Sequence, residues 1–88
     1  MIVEFREEFD KDLSKLDKVL IKRIFSKILI LKEKNNLLEI SGIKKLSWFE
    51  NFYRIRIWDY RLGFSYEYPK IILERVLHRK DIYKYFPK

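Results

Sequence analysis

The sequence predicts an α+β fold: an antiparallel β-sheet, an N-terminal helical hairpin packed on one face, and a short C-terminal helix. Three observations carry this. Residues 53–64 alternate apolar and polar side chains on both sides of Trp58-Asp59, the period-2 signature of a β-hairpin. Leu20, Ile24, Phe25, Ile28 and Leu31 recur at helical spacing, with Lys22, Lys27 and Lys32 between them, as on an amphipathic helix. Ile71 to Leu77 is rich in residues that favour strands.

In chain order, Met1 to Arg6 alternates enough for a first strand. Glu7 to Asp17 is helical in character, with Phe9, Leu13 and Leu16 on one side. A break near Leu16–Lys18 separates it from the main helix, which Asp17 caps by accepting from free backbone N–H groups. Val19, Ile21, Leu29 and Ile30 widen the apolar stripe, so this helix is expected to touch a second element besides the sheet. One long bent helix is the alternative, since no Gly or Pro marks the break. Asn35-Asn36 ends the helix, because asparagine tolerates the left-handed conformation used there. Leu37 to Gly42 reads as a loop, Ile43 to Leu46 as a short strand, and Ser47 to Asn51 as a turn. Strands on either side of Trp58-Asp59 follow, the second running on to Glu67. Tyr68-Pro69-Lys70 is a turn, since proline donates nothing to a ladder. In the last strand one parity puts Arg75 on the apolar face and the other puts Glu74 there. Asp81 then caps a short helix, Ile82 to Phe86, ended by Pro87.

A two-residue loop at Trp58 and Asp59 fixes the hairpin register. Arg56 then faces Arg61, Arg54 faces Gly63, and Tyr53, Ile55, Ile57, Tyr60, Leu62 and Phe64 form the core face. Like charges directly opposed on a sheet repel, so the arginine face, left open by the helices, is expected to receive an anion.

With 88 residues, the chain forms one domain, residues 1–88. The net charge of +7 is uneven. Residues 1–40 hold nine Lys/Arg against eight Asp/Glu, and residues 41–88 hold eleven against five. Five of the seven arginines lie in the second half, and their planar forks suit phosphate. Nucleic acid is the simplest such partner. The chain has no cysteine and one histidine, His78, so neither a thiolate nor a multi-histidine metal site is expected. No cofactor motif is present: there is no Walker loop and no GxGxxG. No apolar run approaches a membrane span and the acidic start is no signal peptide, so a cytoplasmic protein is expected.

The basic and aromatic residues left suit one reaction, cleavage of RNA through its own 2′-hydroxyl. That reaction needs a base, cations around the phosphorane, and an acid at the leaving 5′-oxygen. His78, Arg79, Lys80, Tyr83 and Tyr85 gather such groups after the last strand, and Lys44 and Lys45 add cations before the hairpin.

Tyr53-Arg54-Ile55-Arg56, Asp59-Tyr60-Arg61-Leu62-Gly63 and Val76-Leu77-His78-Arg79-Lys80-Asp81-Ile82-Tyr83 together resemble the signature of the RelE toxins, in the RelE/ParE superfamily. The resemblance spans nearly the whole chain. It implies a metal-independent endoribonuclease that cuts mRNA in the ribosomal A site. It also implies a heteromeric complex with a RelB-like antitoxin. By position, it makes Arg54 and Arg56 the RNA-contacting pair, Arg61 the transition-state stabiliser and Arg79 an acid or charge stabiliser. The functional tyrosine is Tyr83 or Tyr85, and His78 stands where some members use a histidine acid. Lys44, Lys45 and Lys80 are expected to touch phosphate. Two departures stand out. Trp58 replaces the glycine often found at the turn. Arginines stand at 54 and 56 where relatives have lysines, and because arginine stays protonated the base shifts to Tyr83, Tyr85 or a substrate-assisted route. The alternative within the superfamily is a ParE-like, non-nucleolytic inhibitor of DNA gyrase.

Overall fold

The alternation around Trp58-Asp59 folds in the expected register. In a computed structural model that describes residues 1–46 and 51–87, Ile57 pairs with Tyr60, Arg56 with Arg61, Ile55 with Leu62, Arg54 with Gly63 and Tyr53 with Phe64. The elements run β1 (Ile2–Phe5), α1 (Glu7–Leu13), α2 (Lys18–Glu33), a 3-10 turn (Leu37–Glu39), β2 (Ile43–Lys45), β3 (Phe52–Ile57), β4 (Tyr60–Glu67), β5 (Lys70–His78) and α3 (Ile82–Tyr85). The turn expected at Ser47 to Asn51 falls almost wholly outside the described residues, as do Trp48 and Phe49.

The five strands lie in the order β1-β5-β4-β3-β2. Four form an antiparallel meander. The fifth, β1, pairs parallel with β5, which makes the sheet mixed rather than purely antiparallel. A parallel neighbour needs a crossover connection, and the helical segment supplies it; strand alternation carries no information about this partner.

α2 lies on one face. Its Leu20, Ile24, Ile28 and Leu31 are buried against Ile55, Ile57, Leu62, Phe64, Ile71, Leu73 and Val76. Asp17 caps it as expected, its Oδ1 accepting from the Leu20 N–H at 2.9 Å. Of the residues that widen the stripe, Ile21 is half-buried while Val19, Leu29 and Ile30 are exposed, as is Phe25, so among the described residues most of the outer stripe is uncovered. The Asn35-Asn36 pair does not turn left-handed. Lys34 leaves the helix extended, and Asn36 caps the 3-10 turn through the Leu38 N–H.

The last strand follows neither parity of a regular strand. Between Gly63 and Phe64 the β4–β5 register slips, so that Gly63 pairs with Arg75 and Phe64 with Leu73. Glu74 is the extra residue of a bulge. Ile71, Leu73 and Val76 therefore all reach the core, and Glu74 and Arg75 both stay out of it. Glu74 instead accepts from the Ser65 hydroxyl at 2.9 Å.

Beyond Leu73, α1 replaces β1 at the edge of β5. The Asp12 carboxylate, 5% exposed, accepts the Val76 N–H at 3.1 Å. It also receives Arg75 in two bonds, from Nε at 2.7 Å and Nη2 at 3.0 Å. The bond to Asp12 raises the Arg75 pKa above the ordinary guanidinium value, against the opposing effect of burial.

The opposite face is not left open. α3 packs on it, with Ile82 and Phe86 buried beside Leu46, Phe52 and Leu77. This contact depends on Gly63: a Cβ there would lie 2.6 Å from the Phe86 ring. Asp81 does not cap α3; its Oδ1 sits 3.4 Å from the Lys84 ammonium.

Candidate functional site

The site is built on the face that α3 half covers. Arg54 and Arg56 project from β3 and Arg61 from β4, and the register sets Arg56 directly opposite Arg61. Lys44 of β2 lies opposite Arg54 and so shares this face. Arg79 follows β5, its backbone N–H donating to the Asp59 carbonyl at 2.7 Å. Its guanidinium approaches the Asp59 carboxylate only to 4.0 Å. Both of those side chains are well exposed, so the pair adds little.

Arg61 is the centre of this arrangement. Its Nη1 donates to the carbonyls of Trp58 and Tyr60, each at 3.0 Å. Burial, and next the charge of Arg54, push its pKa down; Arg56 and Arg79 act in the same direction, while Tyr83 opposes them. Four charged or polar groups thus act on Arg61 at a single place. Among the described residues, no carboxylate lies within salt-bridge distance of Arg54, Arg56 or Arg61. Arg54 is instead held by the Gly42 carbonyl at 2.7 Å, with its Nε buried and unpaired. Positive charge concentrated this way, with no carboxylate in range of these three arginines among the described residues, has the electrostatic character that suits a polyanion.

The two tyrosines part company. Tyr83 is close enough to act on the charge of Arg61. Tyr85 lies under Arg75, with the guanidinium carbon 5.5 Å from its ring centroid, toward the β5 edge where α1 sits. The structure therefore brings Tyr83, not Tyr85, into the arginine cluster.

Two other sequence candidates lie elsewhere. His78 pairs with Tyr60, their rings edge-to-face at 5.4 Å, and Tyr60 packs against the helix-covered core. The imidazole therefore faces away from Arg61. Its Nδ1 accepts the Lys80 N–H at 3.1 Å, a strand-end hydrogen bond to backbone. Lys45 pairs with Tyr53 and shares its parity. It lines a groove with Leu37, Leu38, Ile43 and Tyr66, on the helix side of the sheet. The Lys80 side chain is exposed at the end of β5. Sequence reasoning missed the Asp12–Arg75 clamp. Its signal was an acid one residue before Leu13 and three after Phe9, on the buried side of α1. Among the described residues there is no group of three or more His, Cys, Asp or Glu that could hold a metal ion.

Comparison with known proteins supplies the family. The family model described as the ParE toxin of type II toxin–antitoxin systems, parDE, matches residues 3–83. Toxin RelE3 of Methanocaldococcus jannaschii is 42% identical over 88 residues, covering 99% of this chain and 100% of that protein. The chain is a RelE-type toxin of the RelE/ParE superfamily. The structure of this RelE-type toxin superimposes on the toxin–antitoxin complex RelB-RelE from Methanococcus jannaschii with a TM-score of 0.82 and 40% identity, covering 96% of this chain and 99% of that one. The archaeal RelE-RelB complex from Pyrococcus horikoshii OT3 gives a TM-score of 0.76 at 24% identity, covering 92% and 97%, and shares the fold.

Proposed function

We infer that this RelE-type toxin is a ribosome-dependent endoribonuclease that stops translation by cutting mRNA through its 2′-hydroxyl. The observation that carries this reading is the Arg56–Arg61 pair, with no carboxylate in range among the described residues, and Tyr83 in the field of Arg61.

In the proposed reaction the 2′-oxygen loses its proton and attacks the adjacent phosphorus, the bond to the 5′-oxygen breaks, and that oxygen takes up a proton from water, leaving a 2′,3′-cyclic phosphate and a 5′-hydroxyl end. Tyr83 would serve as the base for the 2′-proton. Arg61, already oriented by two backbone carbonyls, would stabilise the charge on the phosphorane, where preorganised donors act most strongly. Arg54, Arg56 and Lys44 would clamp the flanking phosphates. Arg79, exposed and only loosely paired, would meet charge developing on the leaving oxygen. His78 and Tyr85 take no part in this scheme, because each is turned to a different neighbour. The toxin would work in the cytoplasm on ribosome-bound mRNA. A RelB-like antitoxin of acidic character would hold it inactive, as the RelB-RelE complexes of its structural neighbours suggest.

Primer extension on ribosome-bound mRNA after induction tests this reading: it expects cuts within codons, and an uncut message defeats it. The matched family model is named for ParE toxins, which favours a second reading, a non-nucleolytic inhibitor of DNA gyrase. Inhibited supercoiling with intact mRNA would select that reading.

A further inference from the structure

The tip of the β3–β4 hairpin is held in a conformation its residue disfavours. Trp58 takes φ +54°, a region glycine enters freely and large side chains avoid. A positive φ at the first of two turn residues is what a hairpin turn matched to strand twist requires. The same turn supplies the carbonyls that orient the site. Trp58 and Tyr60 accept from Arg61 Nη1, each at 3.0 Å, and Asp59 accepts the Arg79 N–H at 2.7 Å. Trp58 also reaches away from the sheet: the guanidinium carbon of Arg23, on α2, stands 4.6 Å from its ring centroid. That is cation–π geometry, and it ties the tip to the helix whose inner side forms the core.

We propose that Trp58 is a positioning residue for the cationic site: its ring, anchored against Arg23, holds the turn in the left-handed conformation that presents the Trp58 and Tyr60 carbonyls to Arg61. The indole touches no reacting atom and acts through Arg61. A glycine achieves the same turn by having no side chain to strain. This chain achieves it with a tryptophan and an anchor on α2. The two solutions are distinguishable, because removing the ring while keeping a Cβ leaves the strain and loses the anchor.

The catalytic half of this inference rests on the nuclease reading, and the structural half does not. The experiment therefore has two readouts on purified toxin: the Arg61 Nε–Hε resonance, assigned by its loss in Arg61→Lys, and kcat and KM for cleavage of ribosome-bound mRNA. Trp58→Ala and Arg23→Met should each move the Arg61 signal toward that of a free arginine. They should lower kcat by about tenfold, a small change in barrier, with KM little altered. Trp58→Gly, which relieves the strain, and Trp58→Phe, which keeps an aromatic face, should each recover most of both. An Arg61 signal and kcat unmoved in Trp58→Ala, or a Trp58→Gly variant as impaired as Trp58→Ala, would overturn the proposal. If wild-type toxin cuts no mRNA, the nuclease reading fails, and the resonance still decides whether Trp58 positions Arg61.

Discussion

Arg56 and Arg61 face each other across the β3–β4 hairpin, and among the described residues neither has a carboxylate within salt-bridge distance. Opposed like charges destabilise a sheet by a few tenths to about 1 kcal/mol. Burial and the neighbouring arginines already push the Arg61 pKa down, and a guanidinium stays protonated at any working pH. The repulsion is therefore present throughout the stability range and is relieved by a bound anion. Sulfate should raise the melting temperature of the toxin more than chloride at equal ionic strength. The difference should shrink in Arg56→Met or Arg61→Met. Those substitutions should themselves leave stability unchanged or raise it. Scanning calorimetry reads all three.

Tyr83 and Tyr85 should separate cleanly. Tyr83→Phe should lower cleavage by about 10²–10⁴-fold, the usual worth of a positioned acid or base. Tyr85→Phe keeps the ring that Arg75 overlies and should stay close to wild type. Single-turnover cleavage of ribosome-bound mRNA measures both.

Gly63→Ala should damage the site from beneath. The new methyl would meet the Phe86 ring at 2.6 Å, and α3 must lift to make room. Overpacking of this kind costs about 1–3 kcal/mol. Because α3 carries Tyr83, cleavage should fall with it. Gly63→Ala combined with Phe86→Leu should recover stability in urea titration.

Asp12→Asn should destabilise strongly, by about 3 kcal/mol, since it removes the buried, charged, bidentate partner of a half-buried arginine. It should leave the arginine cluster chemically intact. The raised Arg75 pKa gives the sign of the linkage: its contribution is full below the unfolded arginine pKa and lost only as pH climbs through the higher folded value. The Arg75 side of the clamp therefore does not weaken across the neutral and mildly alkaline range. Urea unfolding of wild type at several such pH values checks this.

The hairpin was legible in the sequence because two constraints agreed there, a period of two on each side and a two-residue loop at Trp58-Asp59. α2 was legible from its stripe and from Asp17. What stayed hidden was set by partners distant in sequence. The parallel place of β1 depends on a crossover, which alternation does not encode. The bulge at Glu74 keeps both Glu74 and Arg75 out of the core, an outcome no regular register allows. The docking of α3 on the arginine face rests on a Gly63–Phe86 contact between residues 23 positions apart. The same limit explains His78: its neighbourhood in sequence is basic, but its strand parity turns it to Tyr60. That Arg54, Arg56 and Arg61 share a face was readable from the alternation, whereas the placement of Tyr83 rather than Tyr85 beside Arg61 needed the orientation of α3.

The most direct test of the central claim is primer extension on mRNA in purified translating ribosomes, with wild-type toxin beside Arg61→Ala. Wild type should give discrete cuts within codons. Arg61→Ala, with an unchanged far-UV spectrum, should lose them by about 10²–10³-fold, the scale of removing one preorganised donor. Equal cutting by both proteins would contradict the role given to Arg61. A growth-arresting wild type that leaves every message intact would contradict the nuclease itself.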